Sequence, residues 1–439
     1  MIATTIYQQR RQDLVNAMRG GVAVVATAPE RIRNRDSHYP YRYDSYFYYL
    51  TGFTEPEAVV VIVAGAVGET RNILFCRDKN LEREIWDGAR YGQDAARAAF
   101  GFDEAYSITK LDEMMPQLLA NQPAVHCVMG LDAAWDARVM GWVNRVREQA
   151  RSGVTAPAEL HDVRQVLDEM RLFKCEPELA MMRRAAEIST EAHKRAMQAT
   201  RPGRFEFEIE AELLHEFRRH GADAPAYSPI VASGANACVL HYTSNGAQLE
   251  AGDLLLIDAG CEYRGYAADI TRTFPVSGKF GGAQKDVYQL VLAAQAAAIE
   301  KITPGNTWDQ PHEAALAVLV QGFIDLKLCQ GTVAGVLESG DYKRFYMHRT
   351  GHWLGLDVHD AGEYKQNGKW RALLPGMTLT VEPGCYIRPA DDVPEALWNI
   401  GVRIEDDVLV KKTGCEVLTA AAPKTVLAIE GLMRFYVAD

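Results

Sequence analysis

Two segments in the second half of the chain share one short layout. Gly252 is followed six residues later by Asp258, and Gly376 is followed six residues later by Glu382. In both segments an apolar run leads to the carboxylate, and the motif x-Gly-Cys follows it. An apolar run of this length predicts a buried strand that ends at the acidic residue. The repeat therefore restricts this half of the chain to folds with two related strands, each ending in a carboxylate.

The residues upstream of the two copies also correspond. A long helical pattern precedes each copy, the first beginning near Lys174, and a Pro-Gly pair follows at 202–203 or 304–305. A second helical pattern then covers 205–220 or 312–326. These patterns predict a duplicated half-domain in which two helices precede each pair of strands.

The first 172 residues have a different organisation and predict a separate α/β domain. A polar helix is expected near 8–19, a short strand at 22–28 and a buried strand at 58–64. We place the domain boundary before the long helix, giving domains 1–172 and 173–439. The length of 439 residues suits two domains, each able to bury a core.

The first copy predicts a hairpin with two facing carboxylates. If the turn in "EYRG" centres on Tyr263 and Arg264, with Gly265 last, Asp258 lies directly opposite Asp269. Their Cβ atoms would then be ~5 Å apart. Facing carboxylates repel each other, so a cation or a proton must lie between them.

The second copy predicts a similar pair, since Glu382 ends one strand and Glu405 lies in a plausible partner, "GVRIEDD". Four carboxylates from two related hairpins would converge on one face. A site for two metal ions ~3.5–4 Å apart accounts for that convergence.

The stretch "MHRTGHWLGLDVHD" contains His348, His352 and His359. Gly351 and Gly355 argue against a helix here and favour an extended or looped segment. One histidine can then complete the metal site while another contacts a substrate. Carboxylates with one imidazole favour Mn²⁺, and cobalt, iron or zinc could also bind.

Composition excludes several classes of partner. The net charge of −11 argues against nucleic acid or an anionic membrane. The longest apolar run, at 58–67, is shorter than the ~20 residues that span a bilayer. The eight cysteines are scattered, and the N-terminus lacks the apolar core of a signal peptide, which predicts a cytoplasmic protein.

The segments "LLLIDAG", "ADITRTF", "GHWLGLDVHD", "VEPGCY" and "GVRIEDD", in this order, resemble the pita-bread metallopeptidases. This fold is shared by aminopeptidase P, prolidase, methionine aminopeptidase and creatinase. The segments "YPYRYDSYFYYLTGFTEPEAV" and "EIWDGARYGQ" resemble the N-terminal domain of bacterial aminopeptidase P. The resemblance implies an α+β chain, with a creatinase-type α/β N-terminal domain and a C-terminal pita-bread domain.

The resemblance also implies a set of metal ligands. Asp258 would bind one metal, Asp269 and Glu405 would bridge both, and His352 and Glu382 would complete the shell of the second. Two Mn²⁺ ions per subunit are expected, and a hydroxide between them would attack the scissile carbonyl.

Further roles follow from the same resemblance. Glu382 would shuttle protons, His359 would stabilise the oxyanion, and His241 is a further catalytic candidate. The proline of the substrate would bind in a pocket lined by His241 and His348, with Arg403 and Tyr386 nearby.

The implied activity is release of the N-terminal residue from peptides with proline second. Trp86 and Asp36 resemble positions that reach a neighbouring subunit's site, so a homo-oligomer, tetramer or dimer, is expected. Prolidase, which cleaves dipeptides, is the alternative enzyme. A metal-free pita-bread binding module is the alternative outside enzymes, although all five ligands are present here.

Overall fold

The structure, a computed structural model, describes residues 2–65 and 70–434. The chain divides into two compact units, residues 1–171 and residues 172–439. In the parts of the chain that the structure describes, no helix is both long and apolar enough to cross a membrane.

The strands of the first unit are β1 (Gly21–Ala26), β2 (Ile32–Asn34), β3 (Ser37–His38), β4 (Val59–Ala64), β5 (Thr70–Cys76), β6 (Glu104–Ser107), β7 (Ala124–Cys127) and β8 (Glu159–Asp162). Six of them form one sheet in the order β6-β5-β4-β1-β7-β8, and β2 pairs with β3 in a separate two-stranded sheet. The helices are α1 (Thr4–Ala17), α2 (Ser45–Thr51), α3 (Leu81–Asp87), α4 (Gly92–Phe100), α5 (Leu111–Leu119), α6 (Ala133–Arg147) and α7 (Arg164–Leu172). The central strands β1 and β4 are almost entirely buried, because their runs of valine and isoleucine are covered on both faces.

The second unit contains both copies of the repeat. Its helices are α8 (Glu176–Ala199), α9 (Glu206–Arg219), α10 (Gly282–Glu300), α11 (Gln310–Asp325), α12 (Val333–Ser339) and α13 (Val426–Met433). Its strands are β9 (Ala224–Pro225), β10 (Ile230–Ser233), β11 (Leu254–Asp258), β12 (Cys261–Tyr263), β13 (Tyr266–Ala267), β14 (Thr271–Pro275), β15 (Lys365–Gln366), β16 (Lys369–Trp370), β17 (Thr378–Val381), β18 (Gly384–Ile387), β19 (Ile400–Arg403), β20 (Asp406–Val410) and β21 (Cys415–Val417). The helix pair α8–α9 precedes the first strand pair and α10–α11 precedes the second, as the repeat predicts.

Each copy forms an antiparallel hairpin whose ladder is interrupted once. In the first, β11 pairs with β14 and, beyond the interruption, β12 pairs with β13. In the second, β17 pairs with β20 and, beyond the interruption, β18 pairs with β19. Helices and strands of both copies share one hydrophobic core, which fixes the hairpins rigidly.

The turn of the first hairpin differs from the predicted one. Tyr263 pairs with Tyr266, so the central residues of the turn are Arg264 and Gly265. Both have positive φ, +54° and +83°. This is the backbone of a type I′ turn, whose twist matches that of a hairpin. The prediction that Tyr263 and Arg264 are central was therefore wrong.

The change of turn moves the register by two residues. Asp258 pairs with Thr271, and the predicted direct pairing of Asp258 with Asp269 was wrong. Because side chains alternate along a strand, a two-residue shift leaves both carboxylates on one face. In this register Asp269 lies opposite Gly260, where an added Cβ would come 1.8 Å from the carbonyl oxygen of Ala268.

Candidate active site

The carboxylates of the second unit lie where the two hairpin ladders are interrupted. Asp258 is the last residue of β11, and Asp269 lies between β13 and β14. Glu382 lies between β17 and β18, and Glu405 lies between β19 and β20. The register is the same on both sides of the second interruption, so Glu382 lies opposite Glu405.

His352 is held by a main-chain ladder beside β17. The Thr380 N–H donates to the His352 carbonyl (2.9 Å), and the Glu382 N–H donates to the Thr350 carbonyl (2.8 Å). The Thr380 hydroxyl accepts from the His352 N–H at 3.1 Å. His352 and Glu382 are therefore fixed relative to each other by backbone geometry.

The imidazole of His352 is oriented toward the carboxylates. Its Nδ1 donates to the Trp353 carbonyl (2.9 Å), which directs Nε2 into the site. Nε2 lies 3.4 Å from Asp269 Oδ2 and 3.6 Å from Glu382 Oε1. Ligand atoms of Asp269, His352 and Glu405 all lie within 4.8 Å of one another, as a metal site requires.

The pKa values of these groups are raised, because the buried carboxylates have too little positive charge around them. Burial, with the charge of Asp258, raises the pKa of Asp269, and burial with neighbouring carboxylates raises the pKa of Glu405 well above its ordinary value. Burial raises the pKa of Glu382 to about 7. Burial opposes charge on His352, but Asp269 and Glu382 outweigh it and raise its pKa to about 9.

These residues fit divalent metal ions. Carboxylate oxygens and an imidazole nitrogen are ligands for Mn²⁺, Fe²⁺, Co²⁺ or Zn²⁺. A divalent cation would take over the neutralising role that protons have in the metal-free site. The Nδ1 bond to a main-chain carbonyl is also the usual outer contact of a metal-binding histidine.

Two further groups surround Asp258. Arg403, which is buried, donates from Nη2 to Asp258 Oδ2 (2.7 Å) and from Nη1 to Tyr386 Oη (3.0 Å). The Tyr227 hydroxyl lies 2.6 Å from Asp258 Oδ1 and also contacts Asp269 Oδ1. Asp258 is thus held from both sides.

His348 contacts the same network. Its Nδ1 donates to the Arg349 carbonyl (2.8 Å), so Nε2 accepts from Tyr386 Oη (2.8 Å). Burial and the charge of Arg403 lower the pKa of His348 to about 4. The His348 ring is therefore neutral at physiological pH.

The other two histidines are exposed at the cavity. The ring of His359 lies 4.3 Å from that of His352, centroid to centroid, and burial followed by the charge of His352 lowers the pKa of His359. The ring of His241 makes no hydrogen bond to any described residue.

The predicted metal ligands, the four histidines and Arg403 border one cavity of about 460 Å³. It is lined by Tyr227, Ser228, Ile230, Leu240, His241, Thr243, Asp258, Asp269, His348, Arg349, Gly351, His352, Val358, His359, Glu382, Arg403 and Glu405. The volume suits a short peptide. Tyr386 lies behind this wall, buried, and contacts it through His348 and Arg403.

The remaining two predicted residues belong to the first unit. Asp36 is exposed between β2 and β3. Trp86 lies in α3 and is 83% exposed, which is unusual for an indole.

Sequence reasoning missed several residues that contact the acidic residues of the site, among them Tyr227, Thr271, Thr380 and Asp407. Tyr227 precedes β10 in a segment without any recognisable pattern. Thr271 donates its hydroxyl to Glu405 Oε2 (2.6 Å), and Asp407 Oδ2 accepts the N–H of Asp269 (3.1 Å). Thr271 could have been found, because it lies two residues from Asp269 in an extended segment and faces the same side.

Models of two protein families match the chain. The model described as metallopeptidase family M24 matches residues 180–412. The model described as the N-terminal domain of aminopeptidase P matches residues 7–126.

Individual relatives match over nearly the full length. The Xaa-Pro aminopeptidase of Escherichia coli (strain K12) is 46% identical over 428 residues, which cover 97% of each chain. The solved structure of Pseudomonas aeruginosa aminopeptidase PepP has a TM-score of 0.97 and 48% identity, covering 99% of each chain. A zinc-substituted E. coli aminopeptidase P in complex with product has a TM-score of 0.97 and 45% identity over all of each chain. These matches confirm the predicted α+β fold with a C-terminal pita-bread domain.

Proposed function

The chain belongs to metallopeptidase family M24, and on that premise we propose that it is a Xaa-Pro aminopeptidase, which releases the N-terminal residue from peptides with proline second. The observation that carries the proposal is the meeting of His352 with carboxylates from both hairpins at one cavity wall. Near-complete coverage of Xaa-Pro aminopeptidase relatives supports this substrate class over that of other family members.

The metal site would hold two ions, Mn²⁺ by preference, with cobalt, iron or zinc as substitutes. Asp258 would bind the first ion, and His352 and Glu382 would bind the second. Asp269 and Glu405 would bind both ions. The positions of these side chains around a shared space support this assignment. When bound, the metals would lower the pKa of water to supply hydroxide near neutral pH and would polarise the scissile carbonyl.

Protein groups would handle the proton and the developing charge. Glu382 would accept the proton of the attacking water and return it to the proline nitrogen as the peptide bond breaks. His359, exposed beside His352, would donate a hydrogen bond to the carbonyl oxygen as it becomes negative.

The ring of the substrate proline would bind against His241 and His348, with Arg403 and Tyr386 supporting the wall. An X-Pro amide has no N–H, so this pocket needs no acceptor at that position. The neutral state of His348 supports packing against an apolar ring.

The first domain, residues 1–172, would serve assembly and access to the site. Exposure of Trp86 and Asp36 supports contact with a neighbouring subunit in a homotetramer or dimer. A cytoplasmic location is supported by eight cysteines that are all free. Analytical ultracentrifugation of wild-type protein and Trp86→Ala tests the assembly.

Hydrolysis of defined peptides tests the activity. Purified protein with Mn²⁺ is expected to release alanine from Ala-Pro-Ala but not from Ala-Ala-Ala, and a chelator should abolish the reaction. Cleavage of Ala-Pro alone would instead assign a prolidase. No cleavage of either proline peptide by metal-loaded protein would reject the proposal.

A further inference from the structure

A buried carboxyl group outside the catalytic set lies at the start of α9. Glu206 is fully buried and accepts four hydrogen bonds. Its Oε1 accepts from the Ser233 N–H (2.8 Å) and the Asn236 Nδ2 (3.0 Å). Its Oε2 accepts from the Tyr242 hydroxyl (2.8 Å) and the Ala247 N–H (2.8 Å). Both oxygens act only as acceptors, which is the hydrogen bonding of a carboxylate.

The carboxylate is stabilised without an ion pair. No lysine, arginine or histidine among residues 2–65 and 70–434 forms a salt bridge with Glu206. Hydrogen bonds from N–H and O–H groups stabilise the carboxylate in place of an ion pair. Glu206 also lies in the first turn of α9, where the helix dipole favours negative charge. Breaking these bonds would leave buried donors or acceptors unpaired.

All four donors belong to one segment, 233–247, which connects β10 to the strand β11. The main chain adds a fifth contact, because the Glu206 N–H donates to the Ala247 carbonyl (2.9 Å). Leu240, His241 and Thr243 of this segment line the catalytic cavity. Since the ring of His241 has no hydrogen bond to a described residue, the backbone of the segment sets its position.

We propose that Glu206 is a positioning residue for substrate binding: it holds segment 233–247 in the conformation that places His241 in the wall of the proline pocket. The inference rests on the proposed function. It assigns Glu206 an effect on binding and none on the metal site, whose ligands lie on other segments.

Kinetics of Glu206→Gln on Ala-Pro-Ala test the inference. The amide keeps the shape of the side chain but places an NH₂ group against two donors, so two of the four hydrogen bonds from segment 233–247 to this side chain are lost. We expect KM to rise about tenfold, with kcat within about twofold and the bound metal unchanged. Tyr242→Phe removes a single donor and should raise KM by about threefold.

Glu208→Gln is the matched control. It removes a carboxylate from the same first turn of α9, but Glu208 accepts from the N–H of Phe205 and has no hydrogen bond or ion pair with segment 233–247 among the described residues. Its KM should match that of the wild type. Tm measurements on each variant identify any that fails to fold, and in that case Tyr242→Phe decides.

An unchanged KM in folded Glu206→Gln and Tyr242→Phe would overturn the inference. A fall in kcat together with loss of metal would also overturn it, because Glu206 would then act on the metal site. If the wild type itself leaves Ala-Pro-Ala uncleaved, the proposed function fails instead, and the two failures are distinguishable.

Discussion

Asp269 and His359 lie in the same cavity but differ in what they contact. Asp269 is buried, with His352 Nε2 at 3.4 Å and the hydroxyl of Tyr227 beside it. His359 is exposed and touches only the ring of His352 among the proposed ligands. Removing the two side chains should therefore have different consequences.

Asp269→Ala is expected to lose bound metal and activity together, since the carboxylate proposed to bridge the two ions is removed. His359→Ala should keep its metal while kcat falls about 100-fold, because only the proposed hydrogen bond to the developing oxyanion would be lost. Metal analysis by mass spectrometry alongside kcat checks both. Asp286→Ala, which removes an exposed carboxylate of α10, should behave as wild type. Full metal content in Asp269→Ala would contradict the bridging role.

Thr271 offers a finer test of how the ligands are oriented. Thr271→Val removes the hydroxyl that donates to Glu405 Oε2 at 2.6 Å but keeps the shape of the side chain. We expect metal affinity to fall about tenfold, as for other outer contacts of metal ligands. Thr271→Ser keeps the hydroxyl and should retain the affinity in a Mn²⁺ titration. Equal weakening in both variants would mean that packing, not the hydrogen bond, orients Glu405.

At the scale of elements, the two interrupted hairpins create the site, and the close approach of the two strands of the first hairpin depends on Gly260. An added Cβ there would come 1.8 Å from the carbonyl oxygen of Ala268. Gly260→Ala should lower the free energy of unfolding by more than about 2 kcal/mol, because the strands must separate. Urea denaturation measures the change. Gly282→Ala, with open space around the new methyl group at the start of α10, should be neutral or stabilising.

The sequence predicted these hairpins because an apolar run that ends in a carboxylate clearly indicates a buried strand ending at the acidic residue. It did not predict the register, since Arg264 and Gly265 both take positive φ, and the letters "EYRG" allow either turn. It also missed Tyr227, which reaches Asp258 from a segment 31 residues earlier in the chain. Contacts between distant segments depend on tertiary packing, which no local pattern encodes.

At the scale of the molecule, the metal-free site should make stability depend on pH. Glu382 and His352 have pKa values of about 7 and about 9, above their ordinary values of 4.5 and 6.5. A raised pKa in the folded state contributes stability below the unfolded value, and that contribution is lost as the pH rises through the folded value. Metal-free protein should therefore lose stability from about pH 4.5 to about pH 9, through Glu382 between 4.5 and about 7 and through His352 between 6.5 and about 9.

Bound metal should remove this loss, because the ligands would then carry no protons. The difference in Tm between metal-loaded and metal-free protein is expected to widen as the pH increases. Thermal unfolding at pH 6, 7.5 and 9, with and without Mn²⁺, measures it. A difference that is constant or narrows with pH would show that the ligands do not exchange protons for metal.

The central claim is that carboxylates from two hairpins, together with His352, form one dinuclear centre for cleaving Xaa-Pro bonds. The most direct measurement is titration of metal-free protein with Mn²⁺ while alanine release from Ala-Pro-Ala is followed. We expect no activity without metal and a rate that saturates near two equivalents of Mn²⁺. Activity that survives excess chelator would contradict the dinuclear centre. A lack of activity at saturating Mn²⁺ would contradict it as well.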